Sequence, residues 1–253
     1  MSSRHRRGGS ARRSPQAEAA ARAPRLAAVD ALRGLGLCLM IAYHLAFDLG
    51  YFGVIKADFN HDLFWLASRD LIVSWFMFLV GVSLVLARRT NPGMRPFWRR
   101  IALIVFCAML VSAASYVVFP QTFISFGILH CIAVASVLVR PLLPRPRTAL
   151  VLGLAIIAAG ATLQFALFDA AWLNWVGMMT HKPATEDYVP LFPWLGVVLV
   201  GVTAGAWVTA RECRAVTSLE RIAPRWLAWL GRHSLLVYMV HQPILLGILR
   251  VAV

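Results

Sequence analysis

Seven apolar runs, each close to the ~20 residues that a helix needs to cross the hydrocarbon core, follow one another along the chain. They lie at roughly 31–53, 70–87, 98–119, 122–142, 148–168, 189–210 and 233–252. Of the 253 residues, 60% are apolar and 14% are charged, where a soluble domain carries about half and a quarter. Such a chain is expected to be all-α: a polytopic transmembrane helix bundle of about seven spans, forming one domain over 26–253 behind a basic tail. No internal repeat is evident.

The charge sits between the runs. Net charge is +14, and 21 of the 25 basic residues fall in the N-terminal tail, the start of the first run, and the segments 88–100, 140–147 and 211–232. The other four are Lys56, Arg69, Lys182 and Arg250. That asymmetry is the positive-inside pattern and places the N-terminus in the cytoplasm and the C-terminus outside. It also accounts for the basic balance without nucleic acid. Residues 1–25 hold seven arginines and little apolar content, so they read as a disordered cytoplasmic tail able to touch anionic lipid. The four cysteines form no CxxC pair and read as free thiols. No HExxH or similar spacing suggests a metal.

The first run, DALRGLGLCLMIAYHLAFD from Asp30 to Asp48, carries charge inside an apolar helix. At helical periodicity Asp30, Arg33, Leu37, Ile41, His44 and Asp48 share a face. Ionisable groups at membrane depth are costly unless they meet partners or a wet cavity, so this face is expected to look into the bundle. His44 and Asp48, four residues apart, are expected to meet. A carboxylate beside an imidazole fixes its tautomer and raises its basicity, which suits a general base. Arg33, just after Asp30, either snorkels to the inner interface or binds an anionic cytoplasmic ligand such as nucleotide phosphates. Asp70, His130 and His241 are lone polar residues in other runs and are expected to add to a polar interior.

Two outer loops are long. The segment 54–69 contains His61 and Asp62. The segment 169–188 contains three aromatics with His181, Glu186 and Asp187, and reads as a re-entrant or surface helix or as a platform for glycan stacking. On the inner side, Pro224–Gly231 reads as a short amphipathic interfacial helix.

VDALRG followed by an apolar run to His44, then an outer loop with His61, then DLIVSWFMFLVG, FGILHCIA and GRHSLLVYMVHQP, resemble in that order the bacterial relatives of heparan-α-glucosaminide N-acetyltransferase. The opening also resembles the start of membrane O-acyltransferases that decorate bacterial surface polysaccharides. The resemblance covers about 27–136 and 228–245; between 145 and 220 only the hydrophobic pattern matches. It implies an integral-membrane acetyltransferase of a bacterial inner membrane that takes acetyl-CoA from the cytoplasm and acetylates an amino or hydroxyl group of an extracytoplasmic sugar. The closest match to the glucosaminide enzyme's functional histidine is His61. Its equivalent of His44 is asparagine, whereas the O-acyltransferases have histidine there. This chain has both, and the resemblance leaves the role between them open. Donor contacts fall to Arg33 and Asp30. The acceptor's identity and the oligomeric state, a homodimer included, stay open. The competing reading is a proton-coupled transporter or permease using the intramembrane His and Asp residues. The missing repeat counts against it.

Overall fold

The computed structural model describes residues 27–210 and 222–252. The basic tail 1–25 and Cys213 lie outside the described residues. Among those described there are helices and no strands: α1 (Ala27–Tyr51), α2 (Leu63–Thr90), α3 (Met94–Val118), α4 (Ile128–Val139), α5 (Pro146–Thr162), α6 (Leu191–Ala210), α7 (Arg225–Arg232) and α8 (Ser234–Ala252).

All seven apolar runs are helical, but not over their full lengths. Five of the helices (α1, α2, α3, α6 and α8) are long and apolar enough to cross a membrane. The other two, α4 and α5, are shorter. The fourth run was expected to start at 122, yet α4 starts at Ile128 and continues only into a 3-10 turn, Arg140–Leu142. At ~1.5 Å per residue its α-helical part covers roughly 18 Å. Seven of its 12 residues are buried, as in a largely apolar helix inside a bundle. In the opposite sense, α2 begins at Leu63, inside what read as outer loop. Asp62 caps it, its carboxylate accepting from the Phe64 amide at 2.9 Å.

The sequence dictates how closely these helices approach. A Cβ on Gly81 of α2 would run into the Val198 carbonyl of α6, and one on Gly201 of α6 would run into the Phe78 carbonyl of α2. Small residues at facing positions bring backbones together, which is how membrane helices gain packing when lipid is as apolar as leucine. α6 packs against α2, α4 and α5, while α1 packs against α2, α7 and α8. A cluster of Ile104, Cys107 and Ala108 from α3 with Leu129 and Ala133 from α4 meets Leu235, Tyr238 and Met239 of α8. Outward, α3, α5 and α8 present Phe106, Met109, Val117, Val151, Leu154, Ile244 and Ile248. This apolar exterior suits lipid and would be a liability in water.

The basic loops converge on one end of the bundle. Arg89 donates to the Thr209 carbonyl at 2.8 Å, and the Arg140 guanidinium lies 4.1 Å from the centre of the Phe97 ring. At the other end the segment after α5 forms two 3-10 turns, Ala166–Asp169 and Asn174–Val176. The re-entrant or surface helix expected at 169–188 is not formed. The segment is tied instead to the α3–α4 loop: the Glu186 amide donates to the Thr122 carbonyl, and the Thr122 hydroxyl to Glu186 Oε1 at 2.6 Å.

Candidate active site

At the basic end, α1, α2, α3, α4, α7 and α8 enclose a cavity of ≈ 470 Å³. Arg33 enters it from α1. Its Nη1 donates to Asp30 Oδ1 at 2.8 Å, and its Nη2 donates to the Ser83 hydroxyl, which in turn donates to the Leu79 carbonyl. Asp30 is buried, so the first turn of α1 holds its carboxylate out of water against the part-buried Arg33 guanidinium. Arg100 of α3 and Arg232 of α7 line the same cavity, and Arg100 feels the charge of Arg33. Three guanidiniums around one opening suit an anion. Arg100 stood in the sequence only among topology-setting charges, and Arg232 stood with the inner loop. The packing of α3 and α7 brings both to Arg33.

α7 reaches this place by the same close approach as α2 and α6. A Cβ on Gly231 would collide with the Asp30 carbonyl, and one on Gly34 with the Leu227 carbonyl. The helix expected at Pro224–Gly231 is formed. It lies against α1 with Trp226 and Trp229 exposed.

Deeper in, the cavity is lined by Leu37, Ile132, Ile128 and Tyr238. Ring contacts then continue from Tyr238 to His241 at 5.6 Å between centroids, and from His241 to His44 at 5.0 Å. His44 thus stands some 16 Å along α1 from Arg33, at ~1.5 Å per residue.

The expected His44–Asp48 hydrogen bond is not formed. Asp48 Oδ1 accepts from Gln242 Nε2 at 2.8 Å, and Asp48 Oδ2 has no hydrogen-bond partner. The reason is tertiary: α8 brings His241 and Gln242 against α1, and each takes one member of the expected pair. Pro243 follows at once inside α8 and supplies no backbone N–H, so the helix there lacks one of its own bonds.

A carboxylate–imidazole pair does exist, one loop away. His61 Nδ1 lies 2.9 Å from Asp58 Oδ2, and Asp58 Oδ1 accepts from the amides of Asn60 and His61. The Asn60 amide first, then the His61 ring, hold the Asp58 carboxyl below the usual carboxylate range. The His61 side chain is 85% exposed. Asp58, with Phe47, Tyr51, Lys56, Phe59 and Asn60, lines an open pocket of ≈ 600 Å³ near the α1–α2 connection. Asp58 was not singled out from the sequence, although its i,i+3 spacing to His61 was visible there.

The remaining polar residues are structural or peripheral. His130 accepts the Gly127 amide at Nδ1 (3.2 Å) and lies 3.3 Å from the Ser112 hydroxyl at Nε2, so both nitrogens are engaged in holding the α3–α4 loop. Asp70 is exposed rather than interior, because α2 starts early, at Leu63, and leaves it among the helix's first turns. Its partner is the neighbouring Arg69 Nε at 3.4 Å. Asp187, which the sequence placed only in the segment 169–188, takes a capping role. Its Oδ2 accepts the Ile128 amide at 3.0 Å and so caps α4, whose own N-cap, Gly127, has no side chain. Burial pushes its carboxyl above the usual range, against the opposing pull of the Ile128 amide and of Lys182 and Arg69.

No curated protein and no solved structure matches the chain. Residues 25–243 match the family described as heparan-alpha-glucosaminide N-acetyltransferase, catalytic. The match runs through 145–220, where the motifs alone showed only a hydrophobic pattern. With an arginine-lined cavity at one end of an apolar bundle and histidines beyond it, the chain belongs to this family of membrane acetyltransferases.

Proposed function

We propose that the protein transfers an acetyl group across the membrane, from cytoplasmic acetyl-CoA to an amine or hydroxyl of an extracytoplasmic sugar. The observation that carries this is the cavity bounded by Arg33, Arg100 and Arg232 at one end and Tyr238 at the other, from which ring contacts lead to His44. The positive-inside pattern of the basic loops supports a cytoplasmic arginine end. There the guanidiniums hold the phosphates of the donor, and the apolar cavity takes the pantetheine arm. A volume of ≈ 470 Å³ falls in the range of small-molecule sites.

His44 is the base. It takes the proton of the acceptor's amine or hydroxyl as the new C–N or C–O bond forms. The C–S bond breaks, and the proton passes to the departing CoA thiolate. The pocket at Phe47, Lys56 and Asp58 receives the sugar. The Asp58–His61 pair at its rim supports a second assignment, with His61 as the base.

The test is label transfer from radiolabelled acetyl-CoA to envelope glycan by the purified protein, comparing wild type with His44→Ala and His61→Ala. Loss in His44→Ala alone supports the assignment. Loss in His61→Ala alone moves the base to the loop. Absence of transfer by wild type, with no thermal stabilisation by acetyl-CoA, overturns the acetyltransferase reading and favours a transporter.

A further inference from the structure

His241 is 8% exposed, and its two ring nitrogens are in different situations. Nδ1 donates to the Tyr238 carbonyl at 2.7 Å. That bond fixes the tautomer: the proton sits on Nδ1, and Nε2 carries a bare lone pair. Nε2 is buried and has no hydrogen-bond partner. A buried acceptor without a donor is costly, and in a membrane interior no bulk water repairs it. The ring beside it is His44, at 5.0 Å between centroids and tilted by 58°.

We infer that His241 is the positioning residue for His44, taking the role that spacing alone would give to Asp48. The inference rests on the reading of His44 as the base. When the acceptor sugar is bound, one N–H of His44 donates to Nε2 of His241. This fixes the tautomer of His44, so that its other nitrogen presents a lone pair to the acceptor's proton. The same bond strengthens as His44 becomes an imidazolium. His44 N–H then donates to His241 Nε2, and His241 Nδ1–H donates to the Tyr238 carbonyl: the logic of a base oriented by a third group, with an imidazole and a backbone carbonyl where a carboxylate often stands. Catalytic hydrogen bonds are commonly open before substrate arrives and close in the productive complex.

Asp48 reaches α8 instead: its Oδ1 accepts from Gln242, the residue next to His241, and its other oxygen makes no hydrogen bond to His44. α3 and α4 pack Ile104, Cys107, Ala108, Leu129 and Ala133 against Tyr238, the residue whose carbonyl holds His241.

Two substitutions separate the functions of the two nitrogens. His241→Asn places an amide N–H where Nδ1 was and keeps the bond to the Tyr238 carbonyl, but has nothing at Nε2. His241→Gln places an amide oxygen near Nε2 and keeps an acceptor for His44. Both are measured with purified protein, radiolabelled acetyl-CoA and the envelope glycan on which wild type is active. His241→Asn is expected to lower kcat about 10²-fold, the contribution of a well-placed acid–base group, with KM for acetyl-CoA unchanged. His241→Gln is expected to recover most of that loss. Both should keep the thermal shift given by acetyl-CoA, which shows that the bundle and the donor cavity are intact. Wild-type kcat in His241→Asn, or an equal loss in both variants, overturns the inference and leaves His241 as packing. An inactive wild type, or an active His44→Ala, instead removes the reading beneath it.

Discussion

Gln242 donates its side-chain amide to Asp48 Oδ1 at 2.8 Å, a bond between residues 194 positions apart. Asp48 is 2% exposed, and its second oxygen has no partner. The bond therefore sets the height of α8 against α1, and with it the contact of His241 with His44. Gln242→Ala leaves a buried carboxylate without its donor, at a cost of about 1–3 kcal/mol. It should lower Tm and, by letting α8 slide, also lower kcat. Asp48→Asn keeps an acceptor for Gln242 and should retain kcat within a few-fold. A large fall in kcat for Asp48→Asn at unchanged Tm would show that the charge of Asp48 acts in the chemistry after all.

Arg33 has two tasks that one substitution confounds. It neutralises the buried Asp30, and it faces the cavity. Arg33→Ala alone leaves an uncompensated buried carboxylate, a loss of roughly 3–5 kcal/mol. The double variant Asp30→Asn, Arg33→Ala removes that charge and should recover much of the Tm. It should not recover donor binding. One charge-assisted hydrogen bond to phosphate is worth about 1.5–3 kcal/mol, or about 10- to 100-fold in KM for acetyl-CoA, with kcat little changed. A double variant with wild-type KM would restrict Arg33 to holding α1.

How far the chain could be read before its structure follows from which forces are local. The hydrocarbon core demands long apolar runs with their backbone bonds satisfied internally, so α1, α3, α6 and α8 fall within a few residues of where the runs lie. The misjudged ends belong to capping. Asp62 extends α2 toward the outer loop, and α4 waits for Gly127 and a carboxylate supplied by Asp187. In the site, Arg33 and His44 share a face by periodicity and were legible. Their partners were not. Gln242 and His241 reach α1 only because α8 docks there, and Arg100 joins Arg33 only because α3 closes the ring. Asp58 is the exception: three residues before His61, it needed no tertiary contact to be noticed.

The contact of α7 with α1 is backbone against backbone, so it offers little room to relax. Gly231→Val would drive its side chain into the Asp30 carbonyl and push α7 away, moving Arg232 from the cavity. Overpacking of this kind costs about 1–3 kcal/mol. Gly247, with nothing within 4 Å of an added Cβ, is the control: Gly247→Ala should leave Tm and KM unchanged. The expected result for Gly231→Val is a lower Tm together with a raised KM for acetyl-CoA. A normal KM would separate α7 from the donor cavity.

Asp187 makes the outer loop sensitive to pH. Its carboxyl titrates above the model-compound value of 3.8 because burial disfavours the charge, although the Ile128 amide, Lys182 and Arg69 work the other way. A raised value in the folded state means that the folded state binds the proton more tightly than the unfolded one. Its contribution to stability is therefore fully present below the ordinary carboxylate value and is lost as pH rises through the raised one. Docking of the segment 163–190 on α4 should thus tighten on acidification from neutral pH. Hydrogen exchange at the Glu186 and Val189 amides, which donate to the Thr122 and Phe126 carbonyls, reads this docking without passing through the titrating carboxyl. Protection of these amides, after correction for the intrinsic exchange rate, should increase in wild type as pH falls from neutral toward the ordinary carboxylate range. In Asp187→Asn, which keeps an oxygen acceptor but cannot titrate, it should be flat over the same interval. A slope that persists in the asparagine variant would assign the effect to another group, and a wild-type slope of opposite sign would mean that Lys182 and Arg69 outweigh burial.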